Sequence, residues 1–409
     1  MPIKVALNKN LFNVNARIVV ISSVTGDFAP KELDSYASSK WCLENLCSSL
    51  RAELESQKIQ VDIIRPWTIR NKYSKGFNFS FGLEPLVVAR VIEKILNKVN
   101  TNNKLSGKNY SIPSKYYIAH FVQRVFPGII NSRGAGLMST FRRKKYYRKI
   151  ELKSGLITGA ASGLGKELAI LYCKRLNSLY LLDKDQEGLE KVKVTIESMS
   201  DCSVYIICLD LNKLDEVAFL ADGLPPVDLL INCAGIYITG SVYRASIDIY
   251  QKIFNINFYS SILLISKLLN KPSLPKKIIN ILSISAIAGQ NTAGLYSCTK
   301  AALWSFTRSL RKAYGNQIQI IEVLPGPFSS NLGGNPINVG GAIPQKSLIK
   351  AIIKKIYYLK RKTSANVAKS IFVKEKRGEE IIFIPFTARL LCLLEAFSSR
   401  IYKKLRIAF

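Results

Sequence analysis

Leu156-Ile-Thr-Gly-Ala-Ala-Ser-Gly-Leu-Gly165 is the stretch on which the reading of this chain turns. Leu156 to Thr158 read as the end of a short buried strand, Gly159 to Ser162 as a turn, and Gly163 as the start of a helix running through Lys166 to Cys173. Gly159, Gly163 and Gly165 let the backbone approach a pyrophosphate, and the helix N-terminus presents N–H groups to it. A tight strand-to-helix turn asks for glycine whatever it binds. The rest of the chain has to decide between phosphate binding and a plain turn.

Downstream, apolar runs alternate with helical segments. Strands are expected at Lys153 to Thr158, Ser178 to Leu182, Ser203 to Leu209, Val227 to Asn232, Lys277 to Leu282, Gln317 to Leu324 and Glu379 to Ile384. This order predicts an α/β fold, a doubly wound, Rossmann-like parallel sheet of about seven strands with its ligand site at the strand C-terminal ends. The glycine turn falls at the first of those ends.

Upstream, Arg17 to Ser23 is a β-branched apolar run suited to a buried parallel strand. A helix from Ser35 to about Glu55, a strand at Lys58 to Arg65, a helix at Leu83 to Val99 and a short strand at Asn109 to Ile112 follow. Between 132 and 150 the periodicity fails, and Arg142-Arg-Lys-Lys-Tyr-Tyr-Arg-Lys149 places six cations in eight positions, a charge run that reads first as a solvated linker. The expected organisation is a partial α/β repeat at 1–131, a basic linker at 132–150 and a complete nucleotide-binding domain at 151–409.

The two regions repeat. Tyr36 and Tyr296 lie 260 residues apart, Ser23 and Ser283 share that offset, and Pro66 and Pro325 lie 259 apart. The first region corresponds only to the C-terminal half of the second. It carries Ser23, Tyr36 and Lys40 but no glycine turn, so it holds no cofactor site of its own.

Thr158-Gly-Ala-Ala-Ser-Gly-Leu-Gly165 is followed in order by Asn232-Cys-Ala-Gly235, Asn257, Ser283, Tyr296-Ser-Cys-Thr-Lys300 and Pro325-Gly326. This set resembles the short-chain dehydrogenase/reductase family, most specifically over Lys153 to Leu332. The chemistry can be argued from the residues as well. Hydride transfer at a carbinol carbon needs a proton moved at the oxygen, and a phenol does this only with its pKa drawn towards neutrality. Lys300, one helical turn past Tyr296, supplies a nearby positive charge that lowers it. The resemblance implies that Ser283 hydrogen-bonds the substrate oxygen and that Asn257 holds a water linking Lys300 to solvent. Catalytic residues are therefore expected at Asn257, Ser283, Tyr296 and Lys300. Taken singly, each has a plainer reading as a surface pair or a cap.

The resemblance also implies a cofactor cradle of Thr158, Gly159, Ser162, Gly163, Leu164, Gly165, Asp183, Asp210, Leu211, Asn232, Ala234, Gly235, Pro325 and Gly326, with Tyr296 and Lys300. Asp183 ends the second strand, where a carboxylate accepts from ribose hydroxyls and repels a 2′-phosphate. NAD is expected over NADP, with Lys184 as the opposing sign. Asp210 matches the family position beside the adenine, and a helix-capping aspartate is its plainer reading. Cys233 stands where the family often has Asn, and Leu282 where a second Ser is common.

Composition narrows the rest. The chain has 409 residues, 48% of them hydrophobic, and a formal net charge of +31, which suits an anionic partner but also a lysine-rich solvated surface. Nucleic acid is not expected as a partner. The eight scattered cysteines form no C-x-x-C pair, and His120 is the one histidine, so no metal is expected and the thiols read as reduced. The N-terminus lacks a signal-peptide core and no long apolar run appears, so the expected location is cytoplasmic. Leu390, Leu394, Phe397, Ile401 and Leu405 recur at helical spacing among cations, as in an amphipathic helix that lies on a membrane, closes the pocket or joins subunits. Partners are a small alcohol or carbonyl substrate, apolar or lipid-like, and a second copy in a homo-oligomer. The glycine-rich loop at Ser329 to Pro344 does not disclose the pocket.

The activity expected is hydride transfer between a nicotinamide cofactor and a secondary alcohol or carbonyl. The alternative is a dinucleotide-binding scaffold or regulator without turnover. The first region is expected either as the remnant of a tandem duplication or as a mock subunit docked on the complete domain, the remnant being preferred.

Overall fold

The computed structural model of the chain describes residues 9, 12, 16–30, 33–70, 82–97, 108–112, 150–287, 292–329, 332, 336–340 and 362–385. The cationic run, His120 and the amphipathic segment from Leu390 lie outside these residues. No described helix is long and apolar enough to cross a membrane.

The strands of the second region are β4 (Ser154–Thr158), β5 (Ser178–Asp183), β6 (Ser203–Cys208), β7 (Leu229–Asn232), β9 (Lys277–Ile281), β10 (Gln319–Pro325) and β12 (Ile381–Ile384). They form one parallel sheet in the order β12-β10-β9-β7-β4-β5-β6. The chain enters at the middle, winds outward through β5 and β6, then crosses to β7 and winds the other way. The order reverses between β4 and β7, and a crevice opens there at the strand C-terminal ends. Each of the seven expected strands is present within a residue or two of its expected bounds.

Burial on both faces explains the apolar runs: β7, β9 and β10 are buried at every position. Asn232 and Asn280, fully inside the sheet, are joined by one hydrogen bond, and Asn232 Oδ1 finds no partner among the described residues. Asn232 Nδ2 donates to Asn280 Oδ1 at 2.8 Å, and Asn280 Nδ2 donates to Thr307 Oγ1 at 2.8 Å.

The first region builds a separate parallel sheet from β1 (Arg17–Ile21), β2 (Gln60–Pro66) and β3 (Asn109–Ile112), with helices α1 (Asp34–Glu53) and α2 (Pro85–Asn97). Bond for bond it follows one edge of the large sheet. Arg17 pairs with Gln60 as Lys277 pairs with Gln319. Ser22 N donates to Ile64 O at 2.7 Å as Leu282 N does to Val323 O at 2.8 Å, and Trp67 N donates to Ile112 O at 2.9 Å as Gly326 N does to Ile384 O at 2.7 Å. Arg51 donates to the carbonyls of Val61 and Lys108, and Arg311 to those of Ile320 and Glu380.

The helices of the second region are α3 (Gly163–Tyr172), α4 (Gln186–Glu197), α5 (Leu214–Gly223), α6 (Ile247–Phe254), α7 (Ser260–Leu269), α8 (Gly294–Tyr314) and α9 (Ser364–Lys376). A two-stranded parallel pair, β8 (Ile238–Thr239) with β11 (Ile337–Asn338), lies outside both sheets.

Helix α1 packs along α8. Trp41 and Trp304, each 1% exposed, meet with ring centroids 5.6 Å apart, and Trp41 Nε1 donates to Ala286 O at 3.0 Å. One apolar cluster joins Leu50, Leu54, Val61 and Ile63 of the first region to Val242, Tyr250, Leu295 and Tyr296 of the second. The first region is therefore packed against the second along α1 and α8. Its sequence conceals this, because the buried residues of α1 include Ser38, Glu44, Asn45, Ser49 and Glu53 and no clean apolar stripe marks an interface.

Candidate functional site

The glycine turn adopts the backbone its sequence calls for. Gly159 and Gly163 have φ of +70° and +53°, a region costly for side-chain-bearing residues. A Cβ on Gly159 would meet the Ala234 backbone at 2.8 Å, and one on Gly165 would collide with Gly159 O. Gly163 differs, since its missing Cβ would face nothing within 4 Å. Two glycines thus serve packing, and the third lies beside open space.

That space is a cavity of about 260 Å³ at the β4/β7 reversal. Of the expected cradle, Gly159, Ser162, Gly163, Leu164, Gly165, Asp183, Asp210, Leu211, Ala234, Gly235, Tyr296, Lys300 and Pro325 line it. Thr158, Asn232 and Gly326 stand behind the wall. Thr158 Oγ1 accepts from Cys233 N at 3.0 Å and Ala234 N at 3.1 Å, tying the glycine turn to the end of β7. Asp183 is oriented by three amides: Oδ2 accepts from Ala161 N at 3.2 Å, and Oδ1 from Lys184 N at 2.8 Å and Asp185 N at 3.2 Å. Lys184 lines the same end of the cavity. Asp210 Oδ1 accepts from Asn212 N at 2.9 Å, a turn that precedes α5 without capping it, since the N-cap there is Lys213, and Asp210 borders the cavity.

At the other end, Ser283 closes β9 and Tyr296 and Lys300 stand one turn apart at the start of α8. Tyr296 is 8% exposed and hydrogen-bonds the Ser283 side chain. Ser283 Oγ is itself fixed by Ser285 N at 3.1 Å. Lys300 Nζ donates to Ile281 O at 2.9 Å and lies 5.9 Å from the centre of the Tyr296 ring. Asn257 sits on a single π-helical turn, Asn255–Tyr259, between α6 and α7. Its Oδ1 accepts from Ile236 N at 2.8 Å, and its Nδ2 donates to Ile236 O at 3.0 Å and Thr299 Oγ1 at 3.1 Å. The four residues are thus brought to one side of the cavity.

The electrostatics differ in one respect from the sequence argument. Burial pushes the Tyr296 phenol above its ordinary value, its neighbour Tyr237 adds to that, and the Ser283 hydrogen bond opposes it. Burial brings Lys300 down from 10.5 to about 8, with Cys233 acting the other way. The Lys300 ammonium, 5.9 Å from the centre of the Tyr296 ring, is held by its hydrogen bond to the Ile281 carbonyl.

Sequence reasoning did not single out Leu209, Ile236, Ile256, Ile281, Phe328 and Leu332, which also line it. Cys233 and Leu282, noted as departures, line it too. Tyr237 stacks edge-on against Tyr296 with centroids 4.9 Å apart. An isolated tyrosine just past Gly235 gives no sequence signal for this contact.

A glycine turn over a β4/β7 crevice, a carboxylate at the end of β5 and a buried Tyr-Ser-Lys group together define a dinucleotide-binding protein of the doubly wound class. The sequence model of the short chain dehydrogenase family matches residues 4–78 and 153–336, and the chain belongs to that family, whose members are NAD(P)-dependent dehydrogenases and reductases. A Drosophila melanogaster protein described as dehydrogenase/reductase SDR family protein 7-like is 30% identical over 214 residues, covering 49% of this chain and 65% of its own length. An Arabidopsis thaliana protein described as 11-beta-hydroxysteroid dehydrogenase-like 2 is 28% identical over 262 residues, 61% of this chain and 79% of its own. A short-chain dehydrogenase/reductase from Burkholderia phymatum, solved with NAD, superposes with a TM-score of 0.52 over 62% of this chain and 96% of its own at 20% identity. One from Sphingobium yanoikuyae, solved with NADPH, has a TM-score of 0.50 over 61% and 95% at 21% identity. At these identities the superpositions speak for the fold alone.

Proposed function

We propose that the protein transfers a hydride between a nicotinamide cofactor and a secondary alcohol or carbonyl compound, with Tyr296 as the acid/base. The observation that carries this is Tyr296 bonded to Ser283 at the wall of a glycine-lined cavity, with Lys300 one turn behind. The open space at Gly163 and the oriented Asp183 fit a dinucleotide. When bound, it supplies or accepts the hydride.

The chain's own residues supply the remainder. Gly159 to Gly165 and the α3 N-terminus would hold the pyrophosphate, and Asp183 would accept from the adenosine ribose. Ser283 and Tyr296 hydrogen-bond the substrate oxygen, and Tyr296 passes the proton to or from it. Lys300, one turn behind and brought down by burial to about 8, is placed to exchange a proton behind the phenol. Gly235 keeps the way clear, since a Cβ there would sit 3.3 Å from Asn257 Oδ1 and 3.7 Å from Lys300 Nζ.

NAD is favoured over NADP because the Asp183 carboxylate faces the place of a 2′-phosphate. Lys184, at the same end of the cavity, acts in the opposite sense. The apolar lining by Ile236, Leu282, Phe328 and Leu332 supports an apolar substrate. A panel of apolar ketones and aldehydes with NADH, followed by loss of reduced-nicotinamide absorbance, tests the reading. Oxidation of NADH by at least one member is expected, and a protein that binds NADH yet turns over none of a broad panel in either direction would favour the scaffold alternative.

A further inference from the structure

The contacts between the two regions are reciprocal. Asn45 Nδ2 of α1 donates to Ala286 O at 3.4 Å, and Ser305 Oγ of α8 donates to Gly26 O at 3.4 Å. Asn45 and Ser305 are separated by the same 260 residues as Gly26 and Ala286. Ser49 lies so close to Gly294 that a Cβ there would come within 2.7 Å of Ser49 Oγ, and Ser309, its counterpart at that offset, donates at 3.3 Å to Pro30 O, four residues before Asp34, the counterpart of Gly294. A contact of one element on another, mirrored by the counterpart of the second on the counterpart of the first, is the mark of like pairing with like about a two-fold axis. Here both halves of the pair belong to one chain.

At the C-terminal end of α1 the symmetry stops and a contact with the site region begins. Glu53 is 8% exposed, and a carboxylate there is disfavoured both by burial and by the helix C-terminus. Three donors from one loop meet it: Ser241 Oγ at 2.7 Å, Val242 N at 2.8 Å and the backbone of Tyr243. The other side of that loop is held by Ser241 N donating to Gly340 O at 2.9 Å, next to β11. The loop continues back through β8 to Tyr237, whose ring stands against Tyr296.

We propose that the first region is an in-chain partner: a partial second copy of the fold that pairs with α8 about a pseudo-two-fold axis, with Glu53 as a positioning residue for the 240–245 loop. Its consequence for turnover rests on the hydride-transfer reading, and its consequence for loop protection does not.

Hydrogen exchange on the full chain separates the two. Glu53→Ala removes all three acceptor contacts, and the Val242 amide is expected to exchange at least about tenfold faster. Glu53→Gln keeps an acceptor for Val242 N and a group that Ser241 can bond, and most of the protection is expected to return. Diluting the wild-type chain about a hundredfold is expected to leave Val242 protection unchanged, since an intramolecular contact does not follow mass action. With a turned-over carbonyl substrate, Glu53→Ala is expected to lower kcat/KM about tenfold while the NADH Kd stays within twofold, and Glu53→Gln to restore it. Equal exchange at Val242 in wild type and Glu53→Ala would overturn the positioning role, and protection lost on dilution would overturn the in-chain pairing. Loss of turnover in every variant, wild type included, would instead count against the hydride-transfer reading.

Discussion

Gly163→Ala separates folding from cofactor binding more cleanly than any other change in the glycine turn. Its φ of +53° is adverse for alanine, at about 1–2 kcal/mol for a residue with a Cβ in the left-handed region. No atom of the described residues lies within 4 Å of the new methyl, so they add no packing penalty. For a domain of this size the loss amounts to a fall in Tm of about 2–8 °C. The methyl enters the space where a pyrophosphate would approach the α3 N-terminus, and losing one hydrogen bond to a charged group costs about 1.5–3 kcal/mol. NADH affinity is then expected to drop at least about tenfold. Gly159→Ala is the control, because its Cβ meets the Ala234 backbone at 2.8 and 2.9 Å, atoms that cannot give way as a side chain can. Overpacking there adds about 1–3 kcal/mol to the same conformational cost. Urea unfolding and NADH fluorescence titration read the two quantities. An NADH affinity within twofold of wild type for a folded Gly163→Ala chain would refute the placement of the phosphate at this turn.

Three further outcomes follow from particular contacts. Asp183→Ala removes a carboxylate from the cavity end shared with Lys184, and the ratio of NADPH to NADH affinity is expected to rise about tenfold in paired titrations; an unchanged ratio would move cofactor selection elsewhere. Lys300 titrates at about 8 in the folded chain against 10.5 for an exposed lysine. Between those values the folded state has released a proton that the unfolded state still holds, so this group's contribution to stability rises with pH across that window and is least below about 8. Lys300→Met is expected to flatten the rise in urea midpoint from about pH 8 to about pH 10, and an equal slope in both proteins would contradict the shift. Glu44→Ala leaves Arg65 buried without its 2.5 Å partner, a loss of about 3–5 kcal/mol by denaturation; a loss under about 1 kcal/mol would show that the pair is not buried as described.

The large sheet was legible because its strands are buried on both faces and write themselves as apolar runs, as in Lys-Ile-Ile-Asn-Ile281. The glycine turn was legible because Gly159 and Gly163 need positive φ and Gly165 needs close approach, and no other residue meets both demands. Less could be read of the contacts between distant elements. Tyr237 against Tyr296 and Glu53 against Ser241 join positions whose local sequence is ordinary. The two-residue strands β8 and β11 are too short to carry a period. The π-helical turn at Asn257 leaves no compositional trace, although it orients the amide towards Ile236. The docking of α1 was hidden by its polar buried face, which is satisfied by hydrogen bonds such as Asn45 to Ala286 O and not marked by an apolar stripe. Nor does the sequence disclose that the Lys300 ammonium is held by the Ile281 carbonyl, a residue 19 positions away.

The central claim is that Tyr296 handles the proton while other residues hold the cofactor. Tyr296→Phe removes one oxygen and leaves the ring between Tyr237 and the cavity wall. Titration of this variant with NADH, alongside single-turnover hydride transfer to a carbonyl substrate, tests the claim most directly. The account predicts an NADH Kd within about threefold of wild type and hydride transfer slowed at least about a hundredfold, the range of general acid–base catalysis. Transfer at the wild-type rate with NADH bound would contradict it.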